Sequence, residues 1–476
     1  MRIATNFFFI DLFCGMSYSV FPPLFPTLDS KSEISQIVIG MIIGIFALSY
    51  TIIITFIPYL YKKFTPKILF NFSIISEAIC TLTYGFLGSL NLISIILIII
   101  LRIVHGCCCG IKRSLVSSLT ISISKKENSE ISLEFLEVGW YLGTLLGPMV
   151  ASIFYKLGGY SLPFIVLGLL IYASKCLTFQ LEQEGIEIEG DIENNPPNLK
   201  CLLYSESKMI LGSLVLGVIA QTFYYPSLTI HLKRIFNLPV MNTCLFFMIS
   251  STTYLMSNQF INMTNKQIGT YSISFLGLSL IVLGLVMINP FPPIPPSISF
   301  VIMGLALIGI GNAFIFMPGL ILLKHNIKRI YSNIDIFTLN ENISSIINLT
   351  FGIGSFLGPL IGGLLTTYFR FKYCCLILSI IICIYCILFF TNFVKFILNQ
   401  ENNNLEEKNS IFIEEEKEIN HSNIYTNKDI NSSLLSNRFG KKYSFSKVNK
   451  DKEELIEYQY FSLSDEEDLI NININD

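Results

Sequence analysis

Charge is scarce in this sequence. Charged side chains make up 14% of its 476 residues, while hydrophobic ones make up 52%. Soluble domains carry roughly 25% charged residues, so the scarcity argues against one and points to a chain solvated largely by lipid. Other absences narrow the function. No G-x-x-x-x-G-K-[ST] is present, so nucleotide hydrolysis has no phosphate cradle. There is no H-E-x-x-H, no pair of aspartates and no serine-nucleophile motif at membrane depth, and no enzymatic activity is expected. The cysteines, such as Cys107, Cys108 and Cys109 or Cys374 and Cys375, sit inside apolar runs without metal-ligand spacing to histidine. They read as small apolar helix residues; neither disulfides, a metal site nor a cofactor is expected. Nothing points to a nucleic-acid partner. No small-residue cleavage site follows the first apolar run, which reads as a retained span.

What is abundant is apolar length. A bilayer core about 30 Å thick takes roughly 20 apolar residues per helix. The chain offers about twelve such stretches: 5–27, 36–59, 67–89, 92–119, 133–156, 162–180, 208–232, 239–261, 268–289, 298–323, 337–367 and 372–396. The polar segment 181–207 splits them into six and six. The expected organisation is an all-α membrane protein with a first bundle over 1–180, a cytosolic linker over 181–207, a second bundle over 208–397 and a tail over 398–476. Lys62, Lys63, Lys67, Lys112, Arg113, Lys125 and Lys126 fall on one side with the linker. Lys and Arg concentrate in cytoplasmic loops, which places both termini in the cytosol.

The same sentence is written twice. LGTLLGPMVASIF begins at Leu142 and IGSFLGPLIGGLL at Ile353, 211 positions later, in the fifth and eleventh stretches. Six spans separate them, an even number, so the halves repeat in parallel, a known transporter plan with its site between the halves. Gly143, Gly147, Gly354 and Gly358 form four-residue stripes that let helices approach closely. Pro148 and Pro359 interrupt the backbone ladder and permit a bend.

These features resemble the major facilitator superfamily, in its drug:proton-antiporter branch. LIIILRIVHGCCCG, with Arg102, Gly106 and Gly110, resembles the branch's membrane-embedded arginine motif. SYSVFPPLFP (Ser17 to Pro26), GFLGSL (Gly85 to Leu90) and LEVGWYLGTLLGPMVASIFYKLGGYSLPF (Leu136 to Phe164) are similar to the vesicular amine transporters, above all the polyamine subgroup. The resemblance covers roughly 10–395 and thins in the second half. It implies a major facilitator fold of about twelve helices in two parallel six-helix bundles, Arg102 in proton coupling, and Glu137 on the subgroup's glutamate. PYLYKKFTPK departs from the pattern: Tyr61 stands where the superfamily has an acid. The family's first-span aspartate falls at Cys14, so its role does not pass to Asp11.

A charge at the bilayer centre costs at least about 2.5–3.5 kcal/mol, so each one needs a reason. Arg102 reads as a coupling residue or as one bonded to carbonyls. His105, a turn on, reads as a titrating group or a packing residue. Glu137 reads as an ion-pair partner of Lys112 or Arg113, or as a carboxylate holding a proton and a cationic substrate in turn. Asp11 and Tyr18 share a helix face and suit an ammonium through charge and ring-face attraction; the alternative for Asp11 is a merely interfacial place near the membrane surface. Glu77 lies in the third stretch without a family counterpart, and Glu341 opens the eleventh. Tyr224 and Tyr225 are candidates for the cavity wall from the second half. The 211-residue offset carries Arg102 to Ala313 and Glu137 to Asn348, so ion chemistry belongs to the first half.

Residues 399–476 hold 17 acidic and 9 basic side chains and few aromatics, a composition expected to stay disordered. DKEELI at Asp451, DEEDLI at Asp465 and YQYF at Tyr458 resemble sorting signals, and Ser462 and Ser464 lie beside acids. Sorting adaptors or kinases are therefore candidate partners, and an endosomal, vacuolar or vesicle membrane fits better than the plasma membrane. The expected function is proton-coupled transport of a small organic cation or amine. The alternatives are a neutral or anionic metabolite anchored by Arg102, and a non-transporting receptor on the same body.

Overall fold

The computed structural model describes residues 2–30, 34–87, 92–123, 129–176, 205–289, 295–330 and 336–394. Most of the linker and the whole tail, with its sorting-like motifs, lie outside the described residues. The described chain is helical, without a strand. The first half holds α1 (Arg2–Leu24), α2 (Gln36–Lys63), α3 (Pro66–Phe86), α4 (Leu92–Ile123), α5 (Ser129–Gly158) and α6 (Ser161–Ala173). The second holds α7 (Ser205–Thr222), α8 (Leu228–Phe236), α9 (Val240–Ile268), α10 (Thr270–Ile288), α11 (Ile298–Ile330), α12 (Ile336–Tyr368) and α13 (Phe371–Val394). Among the described residues nine helices are long and apolar enough to cross a membrane, and two shorter apolar ones, Ser161–Ala173 and Ser207–Thr222, accompany them. With α9, which is long but rich in Ser, Thr and Asn, they make the twelve expected crossings.

Local sequence explains the ends. Pro66 opens α3 at its first turn, where a missing N–H costs nothing. The expected seventh span, 208–232, is divided: α7 ends at Thr222, a turn covers 223–227, and α8 follows. Pro226 explains the break, because its ring disfavours helix at Tyr225 and it has no N–H to donate.

Neighbour relations recur between the halves. α1 packs on α5 as α7 packs on α12, and α2 packs on α4 as α9 packs on α11. The repeated glycines make the first of these contacts. A β-carbon at Gly143 would fall on the Leu12 carbonyl and within 3.0 Å of the Gly15 Cα, and one at Gly147 would fall on the Ser19 hydroxyl. At Gly354 it would meet the Val218 side chain at 2.6 Å, and at Gly358 the Thr222 hydroxyl. Pro148 and Pro359 both lie inside their helices.

The most extensive contacts between the halves are α2 with α12 and α5 with α9. The α2–α12 seam is backbone on backbone near the start of α2: a β-carbon at Gly40 would strike the Pro359 carbonyl and one at Gly363 the Gln36 carbonyl. Nearby, the Thr229 hydroxyl donates to the Pro23 carbonyl at 3.3 Å. Further along, Tyr50 donates to Asn348 Oδ1 at 3.4 Å.

Candidate functional site

Between the halves lies a cavity of about 70 Å³. Tyr18 of α1 and Trp140, Tyr141 and Thr144 of α5 line it from the first half. Val218, Gln221 and Thr222 of α7, Tyr225 of the turn after it, Ser251 and Tyr254 of α9, Asn312 and Phe316 of α11, and Phe351 of α12 line it from the second. The rings are in mutual contact. Tyr18 stacks on Trp140 with centroids 5.8 Å apart and meets Phe351 at 6.4 Å. Tyr141 and Tyr254 face each other across the halves at 4.8 Å.

One wall is a chain of amides and hydroxyls. Asn312 Nδ2 donates to Gln221 Oε1 at 3.0 Å, and Gln221 Nε2 donates to Ser250 Oγ at 2.7 Å. Ser250 is also bonded to the Tyr224 hydroxyl at 2.9 Å. Asn312 Oδ1 is buried and has no hydrogen-bond partner among the described residues. It is an acceptor for a guest that carries a donor. Tyr225 thus lines the cavity, whereas Tyr224 points its hydroxyl into the hydrogen-bonded chain behind it.

Asp11, Arg102 and His105 are absent from the cavity's described lining. Arg102 is fully buried. Its Nη2 donates to the Ile43 carbonyl at 3.1 Å and its Nε to the Ile42 carbonyl at 3.4 Å. Its guanidinium sits 4.2 Å and 4.7 Å from the ring centres of Phe21 and Phe46. The glycine groove beside it is filled by α2: β-carbons at Gly106 and Gly110 would meet Phe46 and Ser49, and Ile53 and Tyr50. Arg102 therefore ties α4 to α2, and it lies outside the place where an anionic solute in this cavity would find it.

Asp11 is buried, with Oδ2 at 4.0 Å from Arg113 Nη1. Arg113 also lies 4.7 Å over the Trp140 ring. Lys112 pairs with Glu77. Lys112 and Arg113 of α4 are thus held by Glu77 and Asp11. Glu137 lies on α5 one turn before Tyr141, and its side chain, like that of Glu341, is outside the described residues.

His105 belongs to a buried string across three helices. The Tyr84 hydroxyl is 3.4 Å from His105 Nδ1, His105 Nε2 is 3.1 Å from Ser17 Oγ, and Ser17 donates to Glu77 Oε1 at 2.9 Å. The sequence pattern does not single out Glu77, Lys112 and Ser17 for coupling. The available signal was the charge of Glu77 and Lys112 inside apolar runs; their pairing depends on α3 and α4 lying side by side. No group of His, Cys, Asp and Glu capable of holding a metal occurs among the described residues.

Comparison with known proteins agrees with this architecture. The sequence profile of the Major Facilitator Superfamily matches residues 7–347. The mouse (Mus musculus) protein "MFS-type transporter SLC18B1" is 24% identical over 377 residues, covering 76% of this chain and 80% of that protein. The human (Homo sapiens) protein of the same name is 26% identical over 255 residues, 52% of this chain and 54% of its own length. Among solved structures, an inward-facing and occupied bacterial homologue of the human lysosomal transporter Spinster superposes with a TM-score of 0.64 at 10% identity, covering 82% of this chain and 96% of its own. The nucleoside transporter NupG superposes with a TM-score of 0.63 at 12% identity, covering 83% and 99%. At these identities the structural likeness concerns the fold.

Proposed function

The chain belongs to the major facilitator superfamily of membrane transporters, and from that premise we propose that it carries a small organic cation or amine by alternating access, in exchange for protons. The observation that carries the reading is the cavity shared by both halves, walled by the rings of Tyr18, Trp140, Tyr141, Tyr225, Tyr254 and Phe351. Ring faces attract cations, each by about 0.5–2 kcal/mol as the site dries. Asn312 Oδ1, Gln221 and the neighbouring hydroxyls supply acceptors for ammonium protons. The likeness to the vesicular amine transporters and to SLC18B1 supports the same substrate class. The described lining also suits a neutral solute, because it holds amides and hydroxyls and no charged side chain; this is the second reading.

Alternating access follows from the seam. With α2 against α12 the protein is closed where α1 joins α2, and opening there requires the halves to rock about the cavity. Pro148 and Pro359 sit where the two Gly-Pro helices would bend. The chain then works as a carrier and not an enzyme, in an endosomal, vacuolar or vesicle membrane, with both termini, linker and tail in the cytosol.

Uptake into proteoliposomes with an acidic lumen tests the proposal. Spermidine, serotonin or another amine is expected to accumulate only while the gradient persists. Gradient-independent equilibration of a neutral solute, with no amine uptake, would select the second reading. Binding without turnover, with an indispensable tail, would select a receptor.

Two substitutions refine the test. Tyr225→Leu is expected to weaken amine binding about 2- to 30-fold, the loss of one ring face, and Tyr225→Phe to retain it. Asn312→Leu removes a hydrogen bond to a charged donor, worth about 1.5–3 kcal/mol or roughly 10- to 150-fold in apparent affinity. Both are read from the concentration dependence of uptake.

A further inference from the structure

The string that ends on Glu77 has a property that a plain buried ion pair lacks. Ser17 has one proton and two acceptor positions. As the structure stands, its hydroxyl donates to Glu77 Oε1 at 2.9 Å and lies 3.1 Å from His105 Nε2. A second acceptor, the Cys14 carbonyl, is 3.0 Å away. If Glu77 gains a proton it can donate back to Ser17, whose own proton turns to the Cys14 carbonyl. While His105 Nε2 carries a proton it donates to Ser17; once it has given that proton up, Ser17 turns its own to Nε2 instead of to the Cys14 carbonyl. The site thus has a hydrogen-bonding pattern for the ionised carboxylate and another for the neutral acid, with no side chain moved.

The string also has length and a connection to the cavity. Glu77 and Tyr84 are seven residues apart on α3, and His105 and Lys112 seven apart on α4, each about 10 Å at 1.5 Å per residue. Ser17 in the string and Tyr18 in the cavity wall are consecutive on α1. Arg113, next to Lys112, stacks on Trp140 of the same wall. A displacement of α1 or α5 that admits or releases a solute therefore moves the partners of Glu77.

We propose that Glu77 is the carboxylate that takes up and releases the exchanged proton, with His105 and Ser17 as its relay and Lys112 as the cation that holds its ionised form. This rests on the exchange reading above and names its proton site. The proton balance closes. His105 accepts a proton at Nδ1 and gives the one on Nε2 to Ser17, and Ser17 gives its own to Glu77 Oε1. One proton enters and Glu77 gains one; Lys112 stays charged. With Lys112 against Oε2, the conformation described here is the proton-free one.

Among the described residues, the titratable groups that interact with Glu77 are Cys14 of α1, Cys80 of α3, and His105, Cys108 and Lys112 of α4, with Tyr84 and Arg102 beside His105. α6, which also packs on α3, contributes only Tyr172, which is 55% exposed. Glu77 is thus the carboxyl at the end of the string, and Asp11 is held apart by Arg113.

Infrared difference spectroscopy of the full chain in liposomes, acidified stepwise from about pH 8 to about pH 2, below the ordinary carboxylate range, tests this without any substrate. A buried protonated carboxyl gives a resolved carbonyl-stretch band. The band is expected in the parent, in Asp11→Asn and in Glu137→Gln, and it is lost in Glu77→Gln. In Lys112→Gln it should appear at a pH higher by a unit or more. The double variant Glu77→Gln with Lys112→Gln leaves no unpaired charge at the site, so it should fold and also lack the band. A band that survives in the folded double variant, or moves with Asp11 or Glu137 instead, overturns the assignment. Where an amine is transported, Glu77→Gln with Lys112→Gln should keep gradient-free exchange and lose accumulation by tenfold or more. If no amine is transported by the parent, the substrate reading fails while the infrared result still decides the proton site.

Discussion

Replacing Glu77 alone with leucine is expected to destabilise the protein by about 3–5 kcal/mol, the cost of leaving one member of a buried ion pair without its partner. Lys112 is 1% exposed, and Glu77 is its ion-pair partner. Replacing both, Glu77→Leu with Lys112→Met, removes the stranded charge and is expected to return stability to within about 1–2 kcal/mol of the parent. Thermal unfolding in detergent, followed by the fluorescence of the single tryptophan, Trp140, reads both. That residue is well placed, since Arg113 lies 4.7 Å over its ring. Equal instability of the single and double variants would mean that shape, and not charge pairing, fixes the contact between α3 and α4. The stable but uncoupled double variant is what a proton site requires: the pair is kept for exchange while the fold can do without it.

Gly40→Val is expected to have the largest effect on conformation. Its β-carbon would strike the Pro359 carbonyl and lie 3.2 Å from the Gly363 Cα. Overpacking of this kind costs about 1–3 kcal/mol. Incurred only while α2 lies against α12, it shifts the ratio of the two access states about 5- to 150-fold toward opening at that end. A cysteine at Thr229, which is 2% exposed and bonded from α8 to the Pro23 carbonyl of α1 in the other half, supplies the readout. Maleimide labelling of Thr229→Cys should be slow when Gly40 is intact and faster when Gly40→Val is added, over the background of native thiols. Unchanged labelling would show that the seam does not gate that end.

The fold was legible because each crossing is written locally. Apolar length marks a span without reference to any other part of the chain, and the Gly-Pro repeat at Leu142 and Ile353 marks the symmetry. The division of the seventh span at Pro226 was visible too, in a residue type that stops helices, although hydropathy alone runs through it. The site was legible in part. Tyr18 and Tyr225 line the cavity, and both are aromatic residues beside prolines or polar groups in apolar runs. Tyr224 and Tyr225 are consecutive in the turn after α7, yet one bonds to Ser250 and the other lines the cavity, a distinction that composition does not make. Arg102 read from sequence as a coupling residue or as one bonded to carbonyls; α2 packs against Gly106 and Gly110 and supplies the carbonyls that bond the guanidinium. The Glu77–Lys112 pair, 35 residues apart, and the chain Asn312–Gln221–Ser250 were hidden for one reason. Each depends on which helices are neighbours, and a single sequence specifies neighbours only through packing surfaces that the linear pattern does not pair.

α9 carries a consequence for how the protein is made. Its run Ser250, Ser251, Thr252 and Thr253 places four hydroxyls in succession inside a crossing. Ser250 is satisfied by Gln221 and Tyr224 of the preceding segment, and Thr253 reaches the Ala306 carbonyl of α11 at 3.1 Å. A helix that shares its polar groups in this way gains little by partitioning into lipid alone. During synthesis α9 has α7 beside it but must wait for roughly forty more residues before its α11 partner has emerged. α9 is therefore expected to settle fully among its neighbours only once α11 is in place.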